Sequence, residues 1–121
     1  MTESANPKRF DLEDRTFEFA QRIRCFVKKL PRTISNVEDV KQLIDSSGST
    51  GANYIEANEA LSKKDFVMRI KICRKEAKES AYWLRLTDTG GDSNLDKERG
   101  DLVQEANELT NIFGSIIRKT E

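Results

Sequence analysis

The fold is decided by residues 51–86, which read GANYIEANEALSKKDFVMRIKICRKEAKESAYWLRL. The break Ala60-Leu61-Ser62 divides this segment, and Ser62 is a good helix N-cap. Asp65, three residues later, completes the reciprocal capping pattern, with Asp in place of the usual Glu. Apolar or small residues then recur at alternating spacings of four and three, which predicts a helix with one buried face, as in a bundle seam. These seam residues are Phe66, Ile70, Cys73, Ala77, Ser80 and Leu84.

A second set of residues repeats along the same predicted helix and is basic. We call it the basic stripe, and it consists of Lys64, Lys71, Lys75, Lys78 and Arg85. It is offset from the seam by two residues, about 200° around the helix axis, so it faces water or an anionic partner. One interpretation is that the stripe follows a phosphate backbone while Tyr82 stacks on a base.

The alternative interpretation of the basic stripe is a solvated face with local ion pairs, such as Lys75 with Glu79. The distribution of charge along the chain supports this alternative. Residues 62–89 carry a positive excess of four, whereas residues 36–59 carry a negative excess of four. The basic charge of one helix therefore complements its acidic neighbour, and both interpretations stay open at this point.

The first helix is expected to begin near Asp11 and to be stopped by Pro31, which cannot continue a helix. Residues 1–10, which precede it, are expected to form a flexible arm. The predicted seam of this helix is Leu12, Thr16, Phe19, Ile23, Phe26 and Leu30, and the residues that widen its apolar face are Phe17, Ala20 and Val27.

The second helix is expected to start at a cap on Ser35 or Asn36. Residues 46–51 are a run of poor helix formers, and their composition alone would indicate a loop. However, one face of a helix persists across the run, through Leu43, Ile44, Ser47, Gly51 and Ile55. We therefore predict one continuous but locally weak helix over residues 37–58.

The third helix is predicted over residues 63–87, a turn over 88–94, and the fourth helix over 95–119. The predicted seam of the fourth helix is Leu102, Ala106, Leu109, Phe113 and Ile116. Four helices joined by short connections predict a single all-α domain over residues 1–121, folded as an antiparallel up-down-up-down four-helix bundle.

Composition argues against an enzyme. The chain has 21 basic and 21 acidic residues, hence a formal net charge of zero, so no global field draws it to nucleic acid or membrane. It has no histidine, the commonest general base and metal ligand, and no glycine-rich phosphate loop. We expect no catalytic residues, no bound metal and no cofactor.

Cysteine usage and the terminal sequence bear on location. Cys25 and Cys73 are both expected to lie on buried helix faces as reduced thiols. The N-terminal residues lack the apolar core of a signal peptide, and no apolar run approaches the ~20 residues of a membrane helix. The expected location is the cytoplasm, without membrane contact.

Several short motifs of residues 51–86 occur together in one protein family. They are Gly51-Ala52-Asn53-Tyr54-Ile55-Glu56-Ala57, Ser62-Lys63-Lys64-Asp65-Phe66, Lys71-Ile72, Lys75-Glu76-Ala77 and Tyr82-Trp83-Leu84-Arg85-Leu86. Through them the chain resembles the bacterial four-helix-bundle proteins first noticed inside intervening sequences of 23S ribosomal RNA genes. A related bundle assists retroelement reverse transcriptases. The resemblance implies a ring-shaped homopentamer, with RNA or an RNA-associated protein as partner.

Two further sets of residues are candidate contacts. Asn53 and Glu56 are the polar pair most specific to the resemblance; they form either a surface contact site or structural bonds, with Glu56 paired to a base such as Lys71. Apolar residues beyond the seams predict a contact between subunits: Ile72, Trp83, Leu86, Ile112 and Ile117. The predicted function is a non-enzymatic oligomeric binding module whose basic stripe binds RNA or an RNA-associated protein. The alternative is a protein-binding scaffold subunit with no nucleic-acid contact.

Overall fold

Four α-helices account for most of residues 11–121, the part of the chain that the computed structural model describes. The predicted arm, residues 1–10, lies outside the described residues. The helices are α1 (Leu12–Val27), α2 (Ile34–Asn58), α3 (Lys63–Leu86) and α4 (Ser93–Thr120). Each helix packs against the next, and α1 also packs against α4, whereas diagonal pairs make no close backbone contact within this range. This arrangement confirms the predicted all-α four-helix bundle.

A short polar residue precedes each helix, and its side chain accepts a hydrogen bond from a backbone N–H in the first turn. The caps are Asp11, Thr33, Ser62 and Asp92. The prediction of Ser35 or Asn36 as the α2 cap was wrong, because Thr33 accepts the Asn36 N–H at 3.1 Å and both residues lie inside the first turn. Ser62 accepts the Asp65 N–H at 3.0 Å. No return bond from Asp65 is formed among the described residues, since Asp is one methylene shorter than Glu.

The second helix is continuous through residues 46–51, as predicted. The small side chains of this run lie where α3 and α1 approach, and their hydroxyls find partners. Ser46 Oγ is 2.9 Å from Ser80 Oγ of α3, and Thr50 Oγ1 donates to the Ser46 carbonyl at 2.9 Å. Gly51 faces Thr16 of α1. Ile55, which the sequence placed on the buried face, lies at its edge and is half exposed.

The core follows the predicted seams. Its largest fully buried side chains come from all four helices: Phe19, Phe26, Phe113, Ile23, Leu43, Ile70, Leu84, Leu102 and Leu109. Phe66 and Ile116 pack against this core from partly buried positions. Phe17 is different, because 62% of it is exposed, so it does not widen the buried face of α1 as expected.

Asn36 ties the two connections at one end of the bundle together. Its side-chain amide donates to the carbonyls of Pro31 and Asp88, each at 2.8 Å, and its Oδ1 accepts the Asp88 N–H at 2.8 Å. Pro31 belongs to the α1–α2 connection and Asp88 to the α3–α4 connection. Asn36 itself is 2% exposed, whereas Asp88 is exposed, so the three bonds are partly buried.

The two cysteines occupy different environments. Cys73 is fully buried, as predicted, and burial raises the pKa of its thiol to about 12. Cys25 is exposed, so the prediction that it is buried was wrong. The reason lies in helix geometry: Cys25 follows the seam residue Ile23 by two positions, about 200° around the axis, and therefore points away from the core.

We expect one thiol of the native protein to react quickly with a thiol reagent and the other to stay protected. Cys25 is the reactive one, because reaction requires an accessible thiolate. Cys73 should react only after denaturant is added, since it is buried and its pKa is raised. Mass spectrometry of the labelled protein checks the assignment, with Cys25→Ser as the control that removes the fast phase. Equal rates at both thiols in native buffer would contradict it.

Candidate nucleic-acid interface

All five residues of the basic stripe are exposed on α3, but their charges are not equally free. Lys71 pairs with Glu121 of α4 at 3.3 Å, and Lys75 lies 3.8 Å from its neighbour Glu76. Among residues 11–121, no carboxylate lies within 4.0 Å of the basic groups of the remaining three: Lys64, Lys78 and Arg85.

The predicted local pair of Lys75 with Glu79 is replaced by the looser contact with Glu76. The pKa of Glu76 is raised, chiefly by burial of its carboxyl and then by the neighbouring charge of Glu79. Lys75 acts in the opposite direction and lowers this pKa. The basic stripe therefore has a centre that is partly neutralised locally and three positions that are not.

Tyr82 provides an exposed aromatic ring between two of the free basic residues. It follows Lys78 by four positions and precedes Arg85 by three, so the three side chains are neighbours on the helix surface. The ring is 54% exposed and sits edge-on against Trp83, with centroids 5.1 Å apart and planes at 76°. Trp83 itself packs against the core. A base that stacked on Tyr82 would thus find an exposed ring in edge contact with the Trp83 indole, with a cation about one helical turn away on each side.

Asn53 is a structural residue at the contact between α2 and α3. Its Oδ1 accepts a hydrogen bond from Arg69 Nη1 at 3.1 Å, and its Nδ2 donates to the Ser49 carbonyl at 2.9 Å. Glu56 is exposed on α2. It is not the partner of Lys71, which pairs with Glu121 instead. The motif pair is therefore split between an interhelical bond and a surface carboxylate.

The residues predicted to contact another subunit are unequally available. Ile117 is 6% exposed and Trp83 packs against the core, so both contribute mainly to the monomer. Ile72 and Ile112 are partly buried, and Leu86 is half exposed.

Sequence reasoning missed a groove of about 520 Å³ between α1 and α2. Phe17 and Ile55 line it, beside the small residues Gly48, Gly51 and Ala52. Two features of the sequence could have indicated this groove: the run of small residues in α2 and the aromatic residue Phe17, which lies outside the seam of α1.

The described residues were compared with the requirements of a metal site and of a membrane-spanning helix, and they meet neither. Within residues 11–121, no three His, Cys, Asp or Glu side chains cluster in a way that could hold a metal ion. None of the helices in this range is both long and apolar enough to cross a membrane.

Comparison with known proteins assigns the sequence to a protein family. The model of the family described as 23S rRNA-intervening sequence protein matches residues 8–115. The chain belongs to this family. A solved structure supports the assignment: a protein of unknown function from the S23 ribosomal protein family of Bacteroides thetaiotaomicron VPI-5482 is 31% identical to this chain. The alignment covers 88% of this chain and 98% of that one, with a TM-score of 0.73. A search of curated proteins gives no significant match.

Family membership confirms the resemblance drawn from residues 51–86. The range that the family model matches contains the whole basic stripe and Tyr82, whereas the last turn of α4 lies beyond it.

Proposed function

We propose that this protein is a non-enzymatic, self-associating bundle of the cytoplasm whose basic stripe binds single-stranded RNA. The observation that carries the proposal is Tyr82, an exposed ring with Lys78 and Arg85 beside it and no carboxylate among the described residues to neutralise either cation. Stacking on an aromatic ring combined with backbone contacts from basic residues is how proteins bind single strands without reading sequence. Net charge is zero, so binding depends on this local arrangement and not on a global field.

The test replaces the three free cations of the basic stripe, in the variant Lys64→Gln/Lys78→Gln/Arg85→Gln. Each phosphate contact contributes about 0.7 to the slope of log affinity against log salt for a single strand, so the slope should fall by roughly 2. Filter binding or fluorescence anisotropy over a salt series measures it. Tyr82→Ala should cost about 1–3 kcal/mol on single-stranded RNA and much less on a duplex.

A matched control carries the same loss of charge on the other three helices: Arg22→Gln/Lys41→Gln/Lys97→Gln. These residues are exposed and lie outside the basic stripe. The control should leave the salt slope close to that of the wild type. Two results would refute RNA binding by α3: no binding by the wild type at low salt, or equal slopes for the stripe variant and the control.

Self-association is the second part of the proposal, and family resemblance makes five chains the expected number. Half-exposed Leu86 is the best probe, because a charged residue there leaves the core intact. Light scattering or sedimentation should give a mass of about five chains for the wild type and a smaller mass for Leu86→Glu, since a charge buried at an apolar contact is costly. Circular dichroism should show equal helix content. A monodisperse monomer at micromolar concentration would overturn this part.

The groove between α1 and α2 favours a second candidate, a scaffold subunit that binds protein and not nucleic acid. Phe17 and Ile55 are exposed there beside residues small enough to admit another helix. An interaction of this kind buries apolar surface and depends little on salt. Binding of a partner protein that is lost in Phe17→Glu and kept in the stripe variant would favour the scaffold over the RNA-binding module.

A further inference from the structure

Two arginines from neighbouring helices meet over a buried glycine outside the basic stripe. Gly114 lies in α4 where this helix packs against α3. A Cβ atom at Gly114 would lie 3.4 Å from Arg118 Nη1 and 3.9 Å from Arg74 Nε. Since both nitrogens lie within 4 Å of one point, the two guanidinium groups are less than 8 Å apart.

Both side chains are exposed, and the pair differs from the partly buried arginines that join helices. Arg15 binds Glu105 through two hydrogen bonds of 2.8 Å, Arg69 donates to Asn53, and Arg99 donates to the carbonyl of Thr87. Within residues 11–121, by contrast, Arg74 and Arg118 donate no hydrogen bond and have no carboxylate within 4.0 Å. Two like charges thus lie less than 8 Å apart with no anion from the described part of the chain between them.

The negative end of the α4 dipole accounts for the position of only one of these two arginines. Arg118 lies in the last turn, where a cation favours the negative end of the helix dipole. Arg74 lies in the middle of α3, where no such field acts. Lys78 follows Arg74 by one helical turn and adds a third cation on that side of the helix. The nearby carboxylate of Glu121 is taken by Lys71.

We propose that Arg74 and Arg118 form a clamp for one phosphate group over Gly114, in the groove between α3 and α4. Charge-assisted N–H···O bonds of about 2.8 Å from the two guanidinium groups to different oxygens of one phosphate would span the gap between them. Gly114 contributes by having no side chain, which leaves the floor of the clamp open. The clamp rests on the proposed function in one respect, namely that the bound phosphate group belongs to an RNA. It extends the RNA interface from α3 onto α4.

The first experiment needs no RNA. Inorganic pyrophosphate is added to the full-length protein labelled with ¹⁵N, and the Nε–H signals of the arginines are followed by NMR, with single Arg→Lys variants to assign them. The signals of Arg74 and Arg118 should shift together and saturate with one dissociation constant, whereas those of Arg22 and Arg32, which are exposed outside the basic stripe, should shift little. In Arg74→Gln the saturating shift of Arg118 should disappear. Equal, unsaturated shifts at all four arginines would overturn the clamp.

The second experiment uses a single-stranded RNA of about twelve nucleotides, within the usual site sizes of single-strand binding folds. Arg74→Gln/Arg118→Gln should lower the salt slope by about 0.7, the value for one phosphate. The control Arg22→Gln/Arg32→Gln removes the same charge from exposed positions and should not lower it.

The two experiments separate the clamp from the proposed function. Saturation by pyrophosphate without RNA binding would keep the clamp, assign it to a small phosphorylated ligand and refute the RNA-binding function. RNA binding with equal slopes for the clamp variant and its control would keep the function and refute the clamp. Circular dichroism of both double variants checks that the fold is unchanged.

Discussion

Replacing Asn36 by alanine is expected to lower the free energy of unfolding by roughly 3 kcal/mol, at ~1 kcal/mol for each of its three side-chain hydrogen bonds. These bonds join Pro31 in the α1–α2 connection to Asp88 in the α3–α4 connection. Asp88 follows Asn36 by 52 residues along the chain. Their loss leaves two carbonyls and one N–H near a buried position without partners, and such groups are costly. Denaturant unfolding followed by circular dichroism measures the change.

The control for this prediction is Asn107→Ala in α4. Asn107 is exposed, and its side chain makes no hydrogen bond with the described residues. Its replacement should change stability by less than about 0.7 kcal/mol, in the favourable direction, since Ala is the better helix former. A loss at Asn36 no larger than the change at Asn107 would show that the connections are not held by this side chain.

Replacing Gly51 by alanine should destabilise the protein, although alanine normally stabilises a helix interior by about 1 kcal/mol relative to glycine. A Cβ at Gly51 would lie 2.8 Å from Thr16 Oγ1 and 3.2 Å from Thr16 Cβ. Thr16 cannot easily turn away, because it is buried and its Oγ1 donates to the Leu12 carbonyl at 2.7 Å. Overpacking of this kind costs typically ~1–3 kcal/mol, which outweighs the helix gain.

Gly100→Ala is the matched control, because a Cβ at Gly100 meets no atom within 4 Å. It should raise the midpoint of urea unfolding, whereas Gly51→Ala should lower it. Adding Thr16→Ala to Gly51→Ala should recover part of the loss, since it removes the closest clashing atom. If both glycine variants were stabilised alike, the close approach of α1 and α2 at Gly51 would be refuted.

The candidate interface could be predicted from the sequence only in part. Helical spacing placed Lys78, Tyr82 and Arg85 together on an exposed face, because these residues are neighbours along one helix. It could not tell that Lys71 is paired and Lys78 is not, because the partner of Lys71 is Glu121, 50 residues away at the end of α4. The meeting of Arg74 with Arg118 is hidden for the same reason.

Some misplacements came from the local pattern and not from distant contacts. The prediction that Cys25 is buried fails because its position, two residues after Ile23, puts it on the opposite side of α1. Phe17 is predicted to widen the apolar face of α1, but it lines the open groove beside Gly48 and Gly51. Apolar character alone does not show whether a neighbouring helix covers a residue.

The sequence by itself determined the helices, the seams and the family, because caps such as Ser62 and the spacing of residues such as Ile70 and Leu84 act within a few turns of one helix. Only the tertiary structure decided which of these surfaces are free. A glycine is needed at position 51 because Thr16 of another helix lies against it. Arg74 is a candidate phosphate-binding residue because its described neighbour across the helix contact is Arg118 and not a carboxylate. Such contacts depend on the distances between helices, which the spacing of side chains along one helix cannot predict.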